Sequence, residues 1–315
     1  MIGWTDQTQQ PPHGPLFQAC LGGSAELWGG ATVAAAQNST QIVFTTPHGL
    51  TPGQAVVYLG EMRFVTGIPN NTTVQINAPF TTTPKANTRM TPTAGYTLAT
   101  ELPSVSIFDY WSPTTAAQRL IAGAAVNELQ VKVNNDYHEF VFSGGAADLL
   151  DSSSFQTGQG NLTQFPAEPA VNPLSYSIIP GHLGQAWLGS TPSQFVTLTK
   201  ATVGISNGLA LRDKEFGSNL ARGISPGSRN VSLDFSLYQL DDAGTQALYQ
   251  AARQRSPISV MLQLGEQSGQ LFGIYMSAVI PEVPAYDDSD KRLQWGLQKC
   301  RAQGTLNDEV FIAFG

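Results

Sequence analysis

The chain has 315 residues, 12 % of them charged, a formal net charge of −7 and two cysteines. The charged fraction is about half the roughly 25 % of an ordinary soluble domain, and Thr, Ser, Gln, Asn and Gly fill the gap. The acidic balance excludes a nucleic-acid clamp, which needs a basic face, and two cysteines cannot build a disulfide framework.

Cys20 and Cys300 are either buried free thiols or one disulfide formed in an oxidising compartment. The opening "MIGWTDQTQQPPHG" lacks the basic-then-apolar order of a signal peptide, so folding in a cytosol is expected. No window approaches eighteen apolar residues, and no membrane-spanning helix is predicted.

Residues 1–15 read as a polar, Pro-rich arm, and "LFQACLGG" as a short helix or strand stopped by Gly22 and Gly23. Residues 31–97 form a candidate inserted β unit. In it Ile42 and Phe44 share one face, and "EMRFVTGI" and "TTVQINAPF" pair as a hairpin around Pro69-Asn70-Asn71. Residues 81–97 read as a turn-rich linker. Strands resume with "SVSIFDYW", "NELQVKVNN" and "HEFVFSG". Residues 151–193, rich in Ser, Gly, Gln and Pro, are expected to be a mobile loop or an arm laid on a neighbour.

The pattern sharpens after 194. "FVTLTKATVGISNGL" is a strand ending at the turn dipeptide Asn207-Gly208. In "RNVSLDFSLYQL", Val231, Leu233, Phe235 and Leu237 alternate with polar residues, which predicts a half-buried strand. "DDAGTQALYQAARQRS" predicts a helix over 242–255 capped by Asp241 or Asp242 and stopped by Pro257, with Ala247, Leu248, Ala251 and Ala252 as its apolar stripe. "ISVMLQLG", "GQLFGIYMSAVI", "RLQWGLQ" and "DEVFIAFG" are further strands.

The sum is an all-β sandwich or barrel with one flanking helix. Its expected core is Leu129, Val131, Val133, Val231, Leu233, Phe235, Leu237, Val260, Leu262, Leu293, Trp295, Leu297, Val310 and Ile312. Three parts are read: 1–30 as an arm and the start of the main domain, 31–97 as the insert, and 98–315 as the main domain.

No chemistry-bearing constellation emerges. Gly223-Ile224-Ser225-Pro226-Gly227 fits G-x-S-x-G, but Pro-Gly and a strand follow where a nucleophile elbow needs a helix. The four histidines have no metal-ligand spacing, and His48 in "PHGL" reads as a turn former. Charge concentrates instead at Asp287, Asp288, Asp290, Lys291 and Arg292. Arg292 and Leu293 stand where a calcium loop needs Asp or Asn and then Gly, so the segment reads as a solvated loop or an ion-pairing contact between subunits. The four sequons are expected by chance, and no phosphate-binding glycine loop is present. No enzyme activity, cofactor or metal is expected. A carbohydrate-binding adhesin is the rival reading, provided Trp111, Trp187 and Trp295 converge on the surface.

Three stretches resemble the tail tube proteins of long-tailed bacteriophages: "PPHGPLFQAC" at 11–20, "AAVNELQVKVNNDYHEFVFSGGAADLL" at 124–150, and, most extensively, 197–242, a strand, an Asn-Gly turn, a loop and a long strand entering a helix. The stretches beginning at Ser256 and Pro281 continue the likeness, which is a pattern and not a short motif. The resemblance implies a β-sandwich virion protein, assembled in the host cytoplasm, whose three-fold or six-fold rings stack into a tail tube. DNA passes through that tube unbound, and tape-measure, terminator and tail-tip proteins are the other partners. It also implies that Asp241, Asp242, Asp287, Asp288, Asp290, Lys291 and Arg292 are lumen or interface residues, with a neutral or acidic lumen. The few residues ahead of Pro11 and the additional segment 31–97 depart from the family pattern. They keep a distal tail or baseplate protein on the same fold as an alternative.

Overall fold

The computed structural model describes residues 4, 7, 9–111, 117–133, 137–168, 179–217, 220–289 and 291–315. Helix α1 (Gly14–Leu21) begins at a Gly-Pro pair and ends at Gly22, whose φ is +95°. Proline pre-sets the first turn and glycine tolerates the left-handed exit, so the segment that reads as helix or strand is a helix. Ahead of it Trp4 is buried and donates from Nε1 to the carbonyl of Gln9 at 2.7 Å, which docks the N-terminal arm on the core.

The strands follow in chain order: β1 (Glu26–Trp28), β2 (Val33–Asn38), β3 (Gln41–Phe44), β4 (Ala55–Tyr58), β5 (Glu61–Asn70), β6 (Thr73–Ile76) and β7 (Thr93–Thr97). Next come β8 (Val105–Tyr110), β9 (Gln118–Val133), β10 (Glu139–Gly145), β11 (Asp148–Asp151), β12 (Gly184–Gly189), β13 (Ser193–Gln194) and β14 (Leu198–Ser206). β15 (Ala210–Leu211), β16 (Ile224–Ser225) and β17 (Asn230–Tyr238) lead into helix α2 (Ala243–Gln254). β18 (Ile258–Leu264), β19 (Phe272–Ile280), β20 (Ala285–Asp287), β21 (Gln294–Ala302) and β22 (Phe311–Phe314) complete the chain.

The main body is an antiparallel β sandwich in the order β1-β7-β22-β19-β21-β17-β14-β9-β10, with β12 and β18 added along β19. β19 changes partners along its length. Phe272–Tyr275 pair with β22, and Val279–Ile280 pair with β21. β17 shows the predicted alternation: Val231, Leu233, Phe235 and Leu237 are buried among Leu129, Val131, Leu262, Trp295, Leu297 and Ile312. Two expected core positions differ. Leu293 is 37 % exposed because it precedes β21 and is not held by the pleat, and Val133 is only partly buried at the end of β9.

Other departures have local causes. Ala247 is exposed, and α2 buries Thr245, Leu248 and Ala252. β12 lies within 151–193, which reads as irregular. Its "GQAWLG" is buried on both faces, Ala186 and Leu188 in the sandwich and Trp187 on the other side, so it shows no alternation. The same stretch also folds back on its neighbours. Phe155 and Phe165 pack together, Phe165 meets Tyr110, and the Tyr110 hydroxyl donates to the Pro166 carbonyl at 2.8 Å.

β2 to β6 form a separate five-stranded sheet in the order β2-β3-β6-β5-β4. The hairpin turns at Asn71-Thr72, where Asn70 Oδ1 accepts from the Thr72 amide at 2.9 Å. One face encloses its own core of Val33, Ile42, Phe44, Val56, Val65 and Val74. The other, with Val57, Met62 and Phe64, packs on Trp187, Met261, Leu271 and Tyr275 of the large sheet. A Cβ on Gly273 would lie 2.3 Å from Met62 Sδ and 3.0 Å from the Phe64 ring, so only glycine allows this approach. β7, though within 31–97, belongs to the large sheet between β1 and β22.

Arg63 closes the junction. Fully buried, it donates from Nε to Pro79 O at 2.9 Å, from Nη1 to Met62 O at 2.7 Å, and from Nη2 to Glu61 at 2.9 Å and to Gln185 of β12 at 3.1 Å. Its guanidinium lies 4.9 Å from the Trp187 ring centroid and 5.1 Å from that of Phe80. Burial lowers its pKa to about 10, which leaves it charged at neutral pH.

Two stability outcomes follow from this packing. Phe235→Ala, at 3 % exposure, is expected to cost about 3–5 kcal/mol in denaturant unfolding. Unchanged unfolding would mean that the side chain is not in the core. Arg63→Ala strips partners from Glu61, Gln185 and two carbonyls, with an expected loss of about 3–5 kcal/mol. In that variant residues 33–76 should exchange amide hydrogens ahead of the sandwich, and uniform exchange would contradict a local clasp.

Candidate functional site

The described residues among those singled out by charge lie where α2 starts and around the β20–β21 connection. Asp242 is the N-cap of α2: its Oδ1 accepts from the Thr245 amide at 2.7 Å and its Oδ2 from the Thr245 hydroxyl at 3.2 Å. A capping carboxylate at a helix N-terminus is held by backbone N–H and by the dipole, so this side chain is committed locally. Asp241, one residue earlier, accepts from Gln246 Nε2 at 3.0 Å. At the other end of α2 Arg255 is the C-cap, in the left-handed conformation.

Asp287 ends β20. Its Oδ1 accepts from the Ser289 hydroxyl at 2.6 Å and the Ser289 amide at 3.0 Å, and these bonds hold its carboxyl below the usual range. Asp288 and Lys291 are exposed. Asp290 lies outside the described residues. Arg292 stacks over Tyr238 at 4.2 Å from the ring centroid. Among the described residues no group of His, Cys, Asp and Glu could hold a metal ion.

Between α2 and β20–β21 lies a cleft of about 610 Å³, to which Asp241 and Tyr286 both contribute. Its aromatic wall is Tyr249, Tyr286 and Trp295. Tyr249 and Trp295 have ring centroids 5.4 Å apart, and Tyr286 stands nearly perpendicular to Trp295 at 6.2 Å. A hydrogen bond between Tyr286 and Tyr249 raises the pKa of Tyr286. Sequence reading placed Trp295 in the core and passed over Tyr249 and Tyr286, since a helix and a strand distant in sequence bring them together. Trp111, Trp187 and Trp295 do not converge: Trp187 is under the small sheet, Trp295 is in the sandwich core, and Trp111 is 74 % exposed.

A second surface also escapes sequence reading. β8, β9 and β11 form a three-stranded arm in which the first half of β9 is central. Ile107, Ile121 and Leu149 sit in one cross-strand row, and Asp109, Arg119 and Asp151 in the next, with Arg119 Nε 3.6 Å from Asp151 Oδ2. Ile107 is 38 % exposed, Leu149 59 %.

Other candidates resolve into structure. Ser225 sits in β16, paired with β15, and not at a strand-to-helix turn. His48 Nδ1 accepts from the Leu50 amide at 2.9 Å and its Nε2 faces the Asn70 carbonyl at 3.2 Å, a turn former as read. Arg229 donates to Asn207 Oδ1 at 3.2 Å, to Asn307 at 3.0 Å and to the Ala99 carbonyl. Cys20 and Cys300 are buried free thiols, and burial pushes their pKa values up to about 12 and about 11.

Asp242→Ala is expected to lower stability by about 1 kcal/mol, with Asp242→Asn close to wild type, as read by thermal unfolding. Equal losses in both variants would mean that the carboxylate acts through charge and not as a cap.

No family model and no curated protein matches the chain. Among solved structures it is similar to a chain of the SPP1 tail tube, determined by solid-state NMR and cryo-EM. The identity is 17 %, the alignment covers 42 % of this chain and 79 % of that one, and the TM-score is 0.33.

Proposed function

We propose that this protein is a non-enzymatic structural subunit of a bacteriophage tail. Copies of it associate into stacked rings that form the tail tube, the passage through which DNA leaves without specific binding. Other tail proteins are its further partners, and a distal tail or baseplate protein on the same fold is the neighbouring alternative. The resemblance of residues 11–20, 124–150 and 197–242 to tail tube proteins supports this reading, as does the all-β sandwich with α2 flanking it.

The observation that carries it is the apolar row Ile107–Ile121–Leu149. The opposite row of the arm buries Leu120 and Leu150 near the segment after β11, where Phe155 and Phe165 pack toward Tyr110, and leaves Phe108 exposed. On the other face Ile107 and Leu149 are exposed on either side of half-buried Ile121, and the row is flanked by the Asp109–Arg119–Asp151 charges. An exposed apolar sheet face with a charged margin is what a subunit contact looks like before association. Exposed Phe216, in the loop between β15 and β16, offers a second anchor beside Arg212, Glu215 and Arg222. The lumen or interface role expected of Asp241, Asp242, Asp287, Asp288, Asp290, Lys291 and Arg292 remains part of this proposal beside these surfaces. Asp242 caps a helix, Asp287 closes its own turn, and Arg292 is stacked.

Negative-stain images and sedimentation of the purified protein test the reading. Rings or tubes are expected, and a dispersed monomer at high concentration would overturn it. Ile107→Lys combined with Leu149→Lys should change unfolding by no more than about 1 kcal/mol, since both side chains are already exposed, while abolishing the assemblies. Undiminished assembly of that variant would show that the row is not the contact.

A further inference from the structure

We propose that helix α1 and the edge strand β10 form an acid-released clasp, seated on the sandwich by the neutral rings of His13 and His138 and lifted when those two side chains take up protons. α1 has no acidic or basic residue in its end turns, and no side chain caps its N-terminus. Aromatic packing fastens it instead. Phe17 is buried, with its ring centroid 5.2 Å from those of Phe140 and Phe142 in β10 and 5.3 Å from that of Phe314 in β22. The His13 ring, at the N-cap, joins the same cluster, 4.9 Å from Phe314 and 5.7 Å from both Phe17 and Phe140. His138 stands one residue before β10, 2 % exposed, with a backbone hydrogen bond to Leu183. Among the described residues β10 ends the sheet and pairs with β9 alone, so the two rings brace the strand from its other sides.

The surroundings of both rings suit a neutral imidazole and oppose a charged one. His13 Nε2 is buried with no partner among the described residues. α1 offers it only the Cys20 thiol and β7 only the Tyr96 phenol, and burial pushes both up to about 12 and keeps them neutral. β22 has no ionisable side chain, and Tyr275 of β19 faces the small sheet. Glu139 of β10 is exposed and 3.4 Å from Lys132 of β9, Glu128 accepts from the Ser143 hydroxyl at 3.4 Å, and Gly315 O accepts from the Gly269 and Leu271 amides at 3.0 Å. Beside His138 lies a hollow of about 260 Å³ with walls from β9, β12, β14 and β18, and its only other ionisable side chain is His182. Burial accordingly lowers both His13 and His138 from 6.5 to about 4, with a smaller push from the positive amino terminus, and the Leu183 bond offsets only part of this for His138. Between those values the unfolded chain binds more protons than the folded one. The stability that the neutral rings contribute is complete above pH 6.5 and is lost as the pH falls toward 4. The loss is local, because no histidine follows His182 and the strands from β14 to β22 carry none.

Two buried thiols supply the readout, Cys20 inside the clasp and Cys300 outside it in β21. The full-length protein is exposed to a dipyridyl disulfide, labelled sites are mapped by mass spectrometry, and rates are divided by those of the urea-unfolded chain at each pH. Relative labelling of Cys20 is expected to rise about tenfold or more between about pH 7.5 and about pH 4.5, while Cys300 stays protected. His13→Phe keeps an aromatic ring in the cluster and does not titrate, and His138→Gln keeps a polar group for Leu183. Each substitution should move the release to lower pH, and the double variant should abolish it, with circular dichroism near neutral pH verifying the fold. Unchanged protection of Cys20 at about pH 4.5 would overturn the proposal, as would release that persists in the double variant. Labelling of Cys20 and Cys300 in step would overturn it too, since that is global acid unfolding, and this comparison needs no variant. The inference is independent of the tail reading, and none of these outcomes depends on assembly.

Discussion

The buried guanidinium of Arg63 is the constraint on which the arrangement of the two sheets depends. An unpaired charge inside a protein is prohibitively costly, so its donors must find acceptors and its planar faces must find rings. They do so on both sides of the junction: Glu61 and the Pro79 and Met62 carbonyls in the small unit, Gln185 and Trp187 in the sandwich. Gln263 repeats the logic one strand away. Its Oε1 accepts from the Met62 amide at 2.6 Å, and its Nε2 donates to Gly60 O at 2.8 Å and Gly265 O at 2.9 Å. Gly60 itself has φ +77°, and a Cβ there would meet the Glu266 carbonyl at 2.1 Å. Apolar packing alone would let the two sheets slide. These directional bonds set one register between them.

The same division between sliding and fixed contacts recurs along β9. Its second half lies between β10 and β14 in the sandwich, and its first half is the centre of the exposed arm. At the change of partners Asn207 is buried and donates to Cys20 O at 2.8 Å and Val126 O at 3.2 Å, while Arg229 donates to it. The Asn-Gly turn that reads as a simple strand end is thus a polar bracket tying α1, β9 and β17 together. One continuous strand, with Gly123 in the left-handed region where its partners change, carries both the core and the apolar row.

What sequence could show follows from these facts. β17 was legible because one face is buried and the other wet, and period two survives in its residues. α2 was legible through Asp242, and the 61–76 hairpin through its asparagines. β12 was hidden because both faces are covered and alternation vanishes. The first half of β9 was hidden because "RLIAGAA" mixes small and apolar residues around Gly123, whose φ is +61°. Leu293 falls outside β21 because the strand begins at Gln294, two residues after the predicted start at Arg292. The charged loop drew attention because charge is scarce, yet Asp242 and Asp287 satisfy nearby backbone. The apolar row and the aromatic cleft are joined only by pairing and packing across distant segments, which no local window contains.

Scarcity of charge acquires a physical meaning once the charges are placed. Arg63 and Arg229 stabilise the fold through internal hydrogen bonds, Asp242 and Asp287 hold backbone at its surface, and Arg212, Glu215 and Arg222 pair among themselves. The charge that is left is sparse, with a net of −7 over 315 residues, while Ile107, Leu149, Trp111 and Phe216 remain at the surface. A surface with sparse charge that is apolar in places favours contact between copies.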